Sequence, residues 1–123
     1  MEFKLDRPKY RQIVDYCFVC ILSGEWLEGE RVRSVREMSI DMSVNTHTVL
    51  KAYDYLQAHG IIEGRRGMGY YLCPDARTKV NMTRKEEFFS SSAPDLFRQM
   101  NLLGISEEDL IKAYREFQNT KQA

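Results

Sequence analysis

The chain has 123 residues, 43% of them hydrophobic and 29% charged, with 18 Lys and Arg balanced by 18 Asp and Glu. That length holds one domain, or one domain with a small appendage, and the composition is that of a soluble globular chain with a modest core. No apolar run is long enough to span a bilayer, and Met1-Glu2-Phe3-Lys4-Leu5-Asp6 lacks the apolar centre of a secretion signal, so the cytoplasm is the expected compartment.

In chain order, Asp6 or Arg7 is expected to cap a first helix with Pro8 in its first turn, where the missing N–H costs nothing. The helix runs to about Ser23, Gly24 stops it, and Trp26 and Leu27 pack the following loop on the core. Ile13, Cys17, Cys20 and Ile21 make one helical stripe, so Cys17-x-x-Cys20 reads as core thiols rather than a redox or metal pair. Cys73 makes an odd third cysteine, which does not form a disulfide framework. Two histidines, His47 and His59, are too few and too scattered for a zinc site. Arg31-Val32-Arg33 reads as a short strand.

Ser34 and Glu37 form a capping box, which starts a helix over 35–42 with Val35, Met38 and Met42 on its buried side. Ser43-Val44 is too short for a long loop, and Asn45 caps a second helix whose stripe is Val49, Ala52, Tyr53 and Leu56. Thr46, His47, Leu50, Lys51 and Asp54 then face outward as candidate readers of a major groove. Gly60 ends the helix. Ile61-Ile62 and Tyr70-Tyr71-Leu72 read as two strands joined by a flexible cationic tip, in which Arg65, Arg66, Gly67 and Gly69 suit phosphate or minor-groove contact. Two helices at a sharp turn followed by a hairpin make a winged helix-turn-helix. Zero net charge argues weakly against a nucleic-acid binder, but Arg31, Arg33, Arg36, Lys51, Arg65 and Arg66 cluster about this motif while acids collect at Glu25–Glu30, Glu86–Glu87 and Glu107–Asp109.

Beyond Cys73-Pro74 the character changes, which divides the chain into a winged domain, 1–74, and a short helical region, 75–123. Ala76 to Phe89 can be helical with a poor apolar stripe, and Ser90-Ser91-Ser92-Ala93-Pro94 reads as a break. Leu96, Phe97, Met100 and Leu103 outline a helix closed by Gly104, and Ser106 caps a last helix with Leu110, Ile111, Tyr114 and Phe117 on its apolar face. Leu96, Met100, Leu103, Leu110, Tyr114 and Phe117 leave too much apolar surface for two short helices alone, so docking on a second copy is expected. The region looks too small to enclose an effector pocket of several hundred Å³, and the sequence names no effector.

Pro8-x-Tyr10-x-Gln12-Ile13, Gly24-x-Trp26, Gly29-x-Arg31-Val32, Ser34-x-Arg36-Glu37, Val44-Asn45, Thr48-Val49, Lys51-Ala52-Tyr53, Leu56, Gly60-Ile61-Ile62 and Arg66-Gly67-x-Gly69, together and in this spacing, resemble the DNA-binding domain of the GntR family of bacterial transcription regulators. The Leu103-Gly104-Ile105-Ser106 segment and its helical tail look like the small YtrA-type branch. The resemblance implies that Arg36 contacts DNA, with Ser34, Asn45 and Thr48 serving as caps or phosphate contacts. It also marks departures: Arg33 replaces a usual proline, loosening the approach to Ser34 while adding a phosphate-binding charge. Thr46 and Leu50 stand where arginines are common, which favours contact with thymine methyls. The expected function is a DNA-binding transcription regulator, a repressor, that meets double-stranded DNA as a homodimer on an inverted repeat. The alternative is a winged protein-interaction module without DNA, against which the arginines at 36, 65 and 66 speak. No phosphate loop, metal cluster or activated nucleophile points to an enzyme, and no cofactor is expected.

Overall fold

A computed structural model describes residues 3 and 5–121; Met1, Glu2 and Lys4 of the N-terminal run lie outside the described residues. The elements are α1 (Lys9–Leu22), α2 (Val35–Met42), α3 (Thr46–Ala58), β1 (Ile62–Arg65), β2 (Gly69–Leu72), α4 (Ala76–Glu87), a π-helical segment (Phe88–Ser92), α5 (Ala93–Leu103) and α6 (Glu107–Lys121). Two compact units are present, Met1–Thr83 and Arg84–Ala123.

In the first unit, α1 is capped by Pro8 with no side-chain hydrogen bond, so neither Asp6 nor Arg7 serves as the cap expected of them. Proline at this position has no N–H to satisfy, and its fixed φ of −57° leads directly into the helix. The Gln12 side chain donates to the Arg7 carbonyl at 2.9 Å and ties the entry down. Ile13, Val14, Cys17, Phe18, Cys20 and Ile21 are buried, as their helical spacing requires. After the helix Trp26 is buried, but Leu27 is exposed, contrary to expectation: only the indole reaches the core.

The capping box of α2 is complete. Glu37 N–H donates to Ser34 Oγ and Ser34 N–H to Glu37 Oε1, both at 3.0 Å. These bonds and nearby Arg33 and Arg31 hold the Glu37 carboxyl below its ordinary value. A lowered carboxyl pKa stabilises the fold above the unfolded-state value, and the contribution disappears as pH falls through the folded one. Ser34→Ala is therefore expected to cost about 1 kcal/mol near neutral pH, with the deficit relative to wild type shrinking as the carboxyl protonates. Urea titrations at pH 7 and pH 3 measure this, and a deficit that grows at pH 3 contradicts it.

The turn between α2 and α3 takes only three residues because Ser43 adopts a left-handed conformation, φ 53°, with Val44 N–H bonded back to Ser39 O at 3.1 Å. The Ser39 hydroxyl donates to Val44 O at 2.5 Å, closing the corner from the other side. Asn45 Oδ1 then accepts from His47 N–H at 2.8 Å and starts α3. Val49, Ala52, Tyr53 and Leu56 are fully buried on one face. The Tyr53 hydroxyl donates to Arg33 O at 2.5 Å, fixing the backbone just before α2, and burial pushes its pKa up.

The hairpin pairs β1 with β2 in antiparallel register from Ile62 against Leu72 to Arg65 against Gly69. Both strands are longer than the apolar residues indicated, and the supposed flexible tip shrinks to a turn closed by Met68 N–H on Arg65 O at 2.9 Å. Arg31 bridges Tyr71, Val32 N–H donates to Tyr70 O and Leu72 N–H to Glu30 O, so 30–32 borders the wing as a minimal third strand. Ala76 and Val80 of α4 are completely buried in this same core. Lys79 donates to Gly60 O and Arg77 to Leu22 O. The winged unit thus reaches Thr83, beyond the boundary at 74 read from composition.

In the second unit the expected break at 90–94 is a continuous helical path. Pro94 cannot donate to Ser90 O, and the helix widens by a π turn in which Ala93 N–H reaches Phe88 O instead of ending. Gly104, φ 69°, closes α5, and Ile105 N–H returns to Met100 O at 2.9 Å. That 6→1 bond brings Ile105 over Met100. Ser106 and Asp109 cap each other across the start of α6, both bonds at 3.1 Å. Among the described residues no helix is long and apolar enough to cross a membrane.

Candidate nucleic-acid interface

Because α3 buries Val49, Ala52, Tyr53 and Leu56, the residues between them stand out from the protein. Thr46, His47, Leu50, Lys51 and Asp54 are exposed and Thr48 is half-buried. Thr46 and His47 occupy the first turn, from which a helix entered end-on into a major groove meets base edges. Lys51 Nζ lies 4.4 Å from the centre of the Tyr10 ring, an arrangement that holds the ammonium by its attraction to the ring face. Pro8, Lys9, Tyr10, His47, Thr48 and Lys51 line one cleft of about 360 Å³ beside this turn. Lys9 and Tyr10 were absent from the sequence-based site; their place at the first turn of α1, next to the motif Pro8-x-Tyr10, is the signal that could have included them.

The four arginines on either side of α3 differ in how they are held. Arg36, in the first turn of α2, is exposed, and Arg66 at the hairpin turn is exposed too; among the described residues neither has an ion pair. Arg33 is held by Asp41 at 2.5 Å, with Glu37 at 3.9 Å. Arg65 donates from both Nε, at 3.1 Å, and Nη2, at 2.9 Å, to Glu63 Oε1, and its guanidinium stacks 3.9 Å from the Tyr71 ring centre. The charges that the sequence placed around the motif are therefore present on it, but two are already matched by carboxylates.

Ser34 and Asn45 serve as caps with their side-chain oxygens engaged by Glu37 and His47 N–H groups. In the wing, Gly67 has φ 72° and Gly69 φ 94°, both in the left-handed region that glycine adopts without penalty. A Cβ at Gly69 would also come 3.1 Å from Arg31 Nε, so this glycine makes room for the Arg31 side chain beside the hairpin turn.

Cys17 and Cys20 are buried in α1, and desolvation pushes both thiols up, that of Cys20 to about 11. At those values neither is a thiolate near neutral pH, and both pack as small hydrophobes. His59 is bonded through Nδ1 to Tyr55 O and stacked on that ring at 4.1 Å, remote from the cleft holding His47 in sequence and in environment.

In the second unit the residues read as a docking face separate. Leu96, Leu103, Tyr114 and Phe117 are exposed and Leu110 is half-buried, but Met100 is only 8% exposed and is not part of an open face, because the Gly104 turn folds Ile105 back toward it. Phe88, Phe89, Ala93, Leu96, Phe97, Leu110, Ile111, Tyr114 and Arg115 line a nearly wholly apolar groove of about 640 Å³. This groove is open to solvent, so it does not contradict the expectation that the region encloses no effector pocket.

A capped helix pair at a tight turn, a glycine-built wing and arginines on both define a winged helix-turn-helix DNA-binding protein. No protein-family model matches the chain. The HTH-type transcriptional repressor YtrA of Bacillus subtilis is 39% identical over 109 residues, covering 89% of this chain and 83% of YtrA. A GntR-family transcriptional regulator structure from Bacteroides thetaiotaomicron is 37% identical and superposes with a TM-score of 0.75 over 91% of this chain and 98% of that one. The DNA-binding domain of AraR, solved in complex with operator ORR3, matches at 27% identity and TM-score 0.53 over 59% of this chain and 86% of that one. The chain belongs to the GntR family of transcription regulators, in its YtrA-type branch, and is a DNA-binding regulator rather than an enzyme.

Proposed function

We propose that the chain is a cytoplasmic repressor that binds an inverted-repeat operator as a homodimer. The observation that carries this reading is the uncovered apolar face of the second unit, where Phe97, Leu103, Tyr114 and Phe117 are each at least half exposed. Apolar side chains of that size, with Phe97 and Tyr114 lining one apolar groove, are stabilised in water when a second copy covers them. Repression is supported by the likeness to YtrA, a repressor by name. Selection of duplexes from a random-sequence pool tests the symmetry: inverted half-sites are expected, spaced near one helical turn, together with a dimer in sedimentation. A selected site without a repeat, or a monomer at the concentration used, overturns it. A reporter under the selected site reads repression as a signal that rises when the chain is removed.

Within each half-site Thr46, His47 and Leu50 read bases, and Arg36, Lys51, Arg66 and the backbone at Gly67 meet the sugar-phosphate chain, joined by Arg33 and Arg65 and by the capped turns at Ser34, Asn45 and Thr48. His47→Ala and Leu50→Ala are expected to change preference among single-base variants of the selected site by about 1–3 kcal/mol at affected positions. Nonspecific affinity stays nearly constant; an equal loss on every sequence rules out base reading by these side chains. Arg36→Ala and Arg66→Ala are expected to do the reverse, weakening all duplexes alike and each flattening the slope of log K against log salt by about 0.9. A slope identical to wild type for either variant removes that arginine from the interface.

A further inference from the structure

We propose that Asp41 and Glu63 set the sequence dependence of binding by holding Arg33 and Arg65 away from DNA phosphates until the complex is tightly docked. The inference rests on the assignment of those two arginines to the DNA interface. Asp41 lies 2.5 Å from Arg33, and Glu63 accepts two bonds from Arg65. Each guanidinium is also braced by a second group, Glu37 for Arg33 and the Tyr71 ring for Arg65.

Neither acid is explained by the fold. Asp41 sits in the last turn of α2, where the partial negative charge of the helix end opposes a carboxylate and a cation is the favourable choice. Glu63 is exposed on a strand that contains Gly64 and buries only Ile62. Both side chains are about half exposed, 47% and 52%, so each pair is open to exchange rather than locked. A phosphate that takes Arg33 or Arg65 must displace a carboxylate and leave it near the negatively charged backbone. Loose, sequence-independent complexes do not compensate that loss, whereas full seating of α3 in its groove brings the phosphate into the geometry of a direct bond. The zero net charge of the chain has the same consequence on a larger scale: little nonspecific attraction.

The test uses the full chain and two probes, a random-sequence 30-bp duplex pool and a duplex selected from it by the wild type, with affinities read by fluorescence anisotropy across a salt series. Asp41→Asn and Glu63→Gln keep size and hydrogen bonding while removing charge. Each is expected to tighten binding to the random pool about two- to fivefold, the range of an exposed ion pair, and to steepen its salt slope by about 0.9. The selected duplex gains less, so the specificity ratio falls. A double-mutant cycle separates the pair from a general gain of charge: in an Arg33→Gln background, Asp41→Asn is expected to lose its effect. If Asp41→Asn acts equally with and without Arg33, or if neither substitution strengthens random-pool binding, the proposal is wrong. If instead Arg33→Gln and Arg65→Gln leave both affinities and slopes at wild type, the arginines are not at the interface, and the underlying assignment fails rather than this refinement of it.

Discussion

The 123-residue chain is expected to bind a duplex carrying two half-sites about 10²–10⁴-fold more tightly than a chain ending at Thr83, with little difference between them on a single half-site. One winged unit offers DNA a single reading helix and one hairpin, and its contacts are the same in both chains. What the second unit adds in the proposed dimer is proximity: once one copy is bound, the other meets its half-site at a high effective concentration. The groove lined by Phe88, Phe89, Leu96, Phe97 and Ile111 and the exposed rings of Tyr114 and Phe117 supply the apolar surface that would hold the copies together. Tyr114→Glu with Phe117→Glu places charges on that face without shortening the chain, and is expected to reproduce the truncation. Gel shifts on the two-site and one-site duplexes, paired with sedimentation, measure both. Equal two-site affinity for the 123-residue and truncated chains would show that the second unit does not join copies.

Where the truncation is made decides whether it folds. A chain ending at Pro74 lacks Val80 and Ala76, both at 0% exposure in the core of the first unit, along with the Lys79 and Arg77 bonds to Gly60 O and Leu22 O. Burial of a valine is worth about 1.5–3 kcal/mol, and the aliphatic surface it covers is laid open as well. The chain ending at Pro74 is therefore expected to be about 2–4 kcal/mol less stable than the chain ending at Thr83, a large part of what a small domain possesses. In urea that is a midpoint lower by roughly 2–4 M, for a slope near 1 kcal/mol/M. Superimposable unfolding curves would mean that α4 contributes nothing to the core it touches.

Much of the winged unit was legible because its signals are local. A capping box needs only Ser34 and Glu37 three residues apart, and a buried stripe needs only the spacing of Val49, Ala52, Tyr53 and Leu56. Once that stripe faces inward, Thr46, His47, Leu50 and Lys51 are forced outward, so the exposed face proposed to read DNA follows from helix geometry without any tertiary information. The core role of Cys17 and Cys20 comes from the same period.

Other features depend on groups far apart in sequence, and only the folded chain decides them. Val80 is one of three apolar residues, with Ala76 and Met82, in a mostly polar helix; Ala76 and Val80 are buried while Met82 stays exposed, a choice set by the hydrophobic surface of the first unit and not by any local pattern. Asp41 lies eight residues from Arg33, and whether a long guanidinium turns toward that carboxylate or into solvent is settled by the backbone path through the loop that Tyr53 pins from α3. Ser90-Ser91-Ser92-Ala93-Pro94 carries every local mark of an interruption, yet a helix can absorb a proline by widening one turn when the flanking turns are already formed. Sequence by itself thus determined the class of fold and which face of α3 is exposed, because periodicity and capping act within a few residues. Tertiary structure decided where the first unit ends, that Arg33 and Arg65 are matched by carboxylates, and that the helix passes Pro94 through a π turn, because those outcomes are set by competition among partners that meet only on folding.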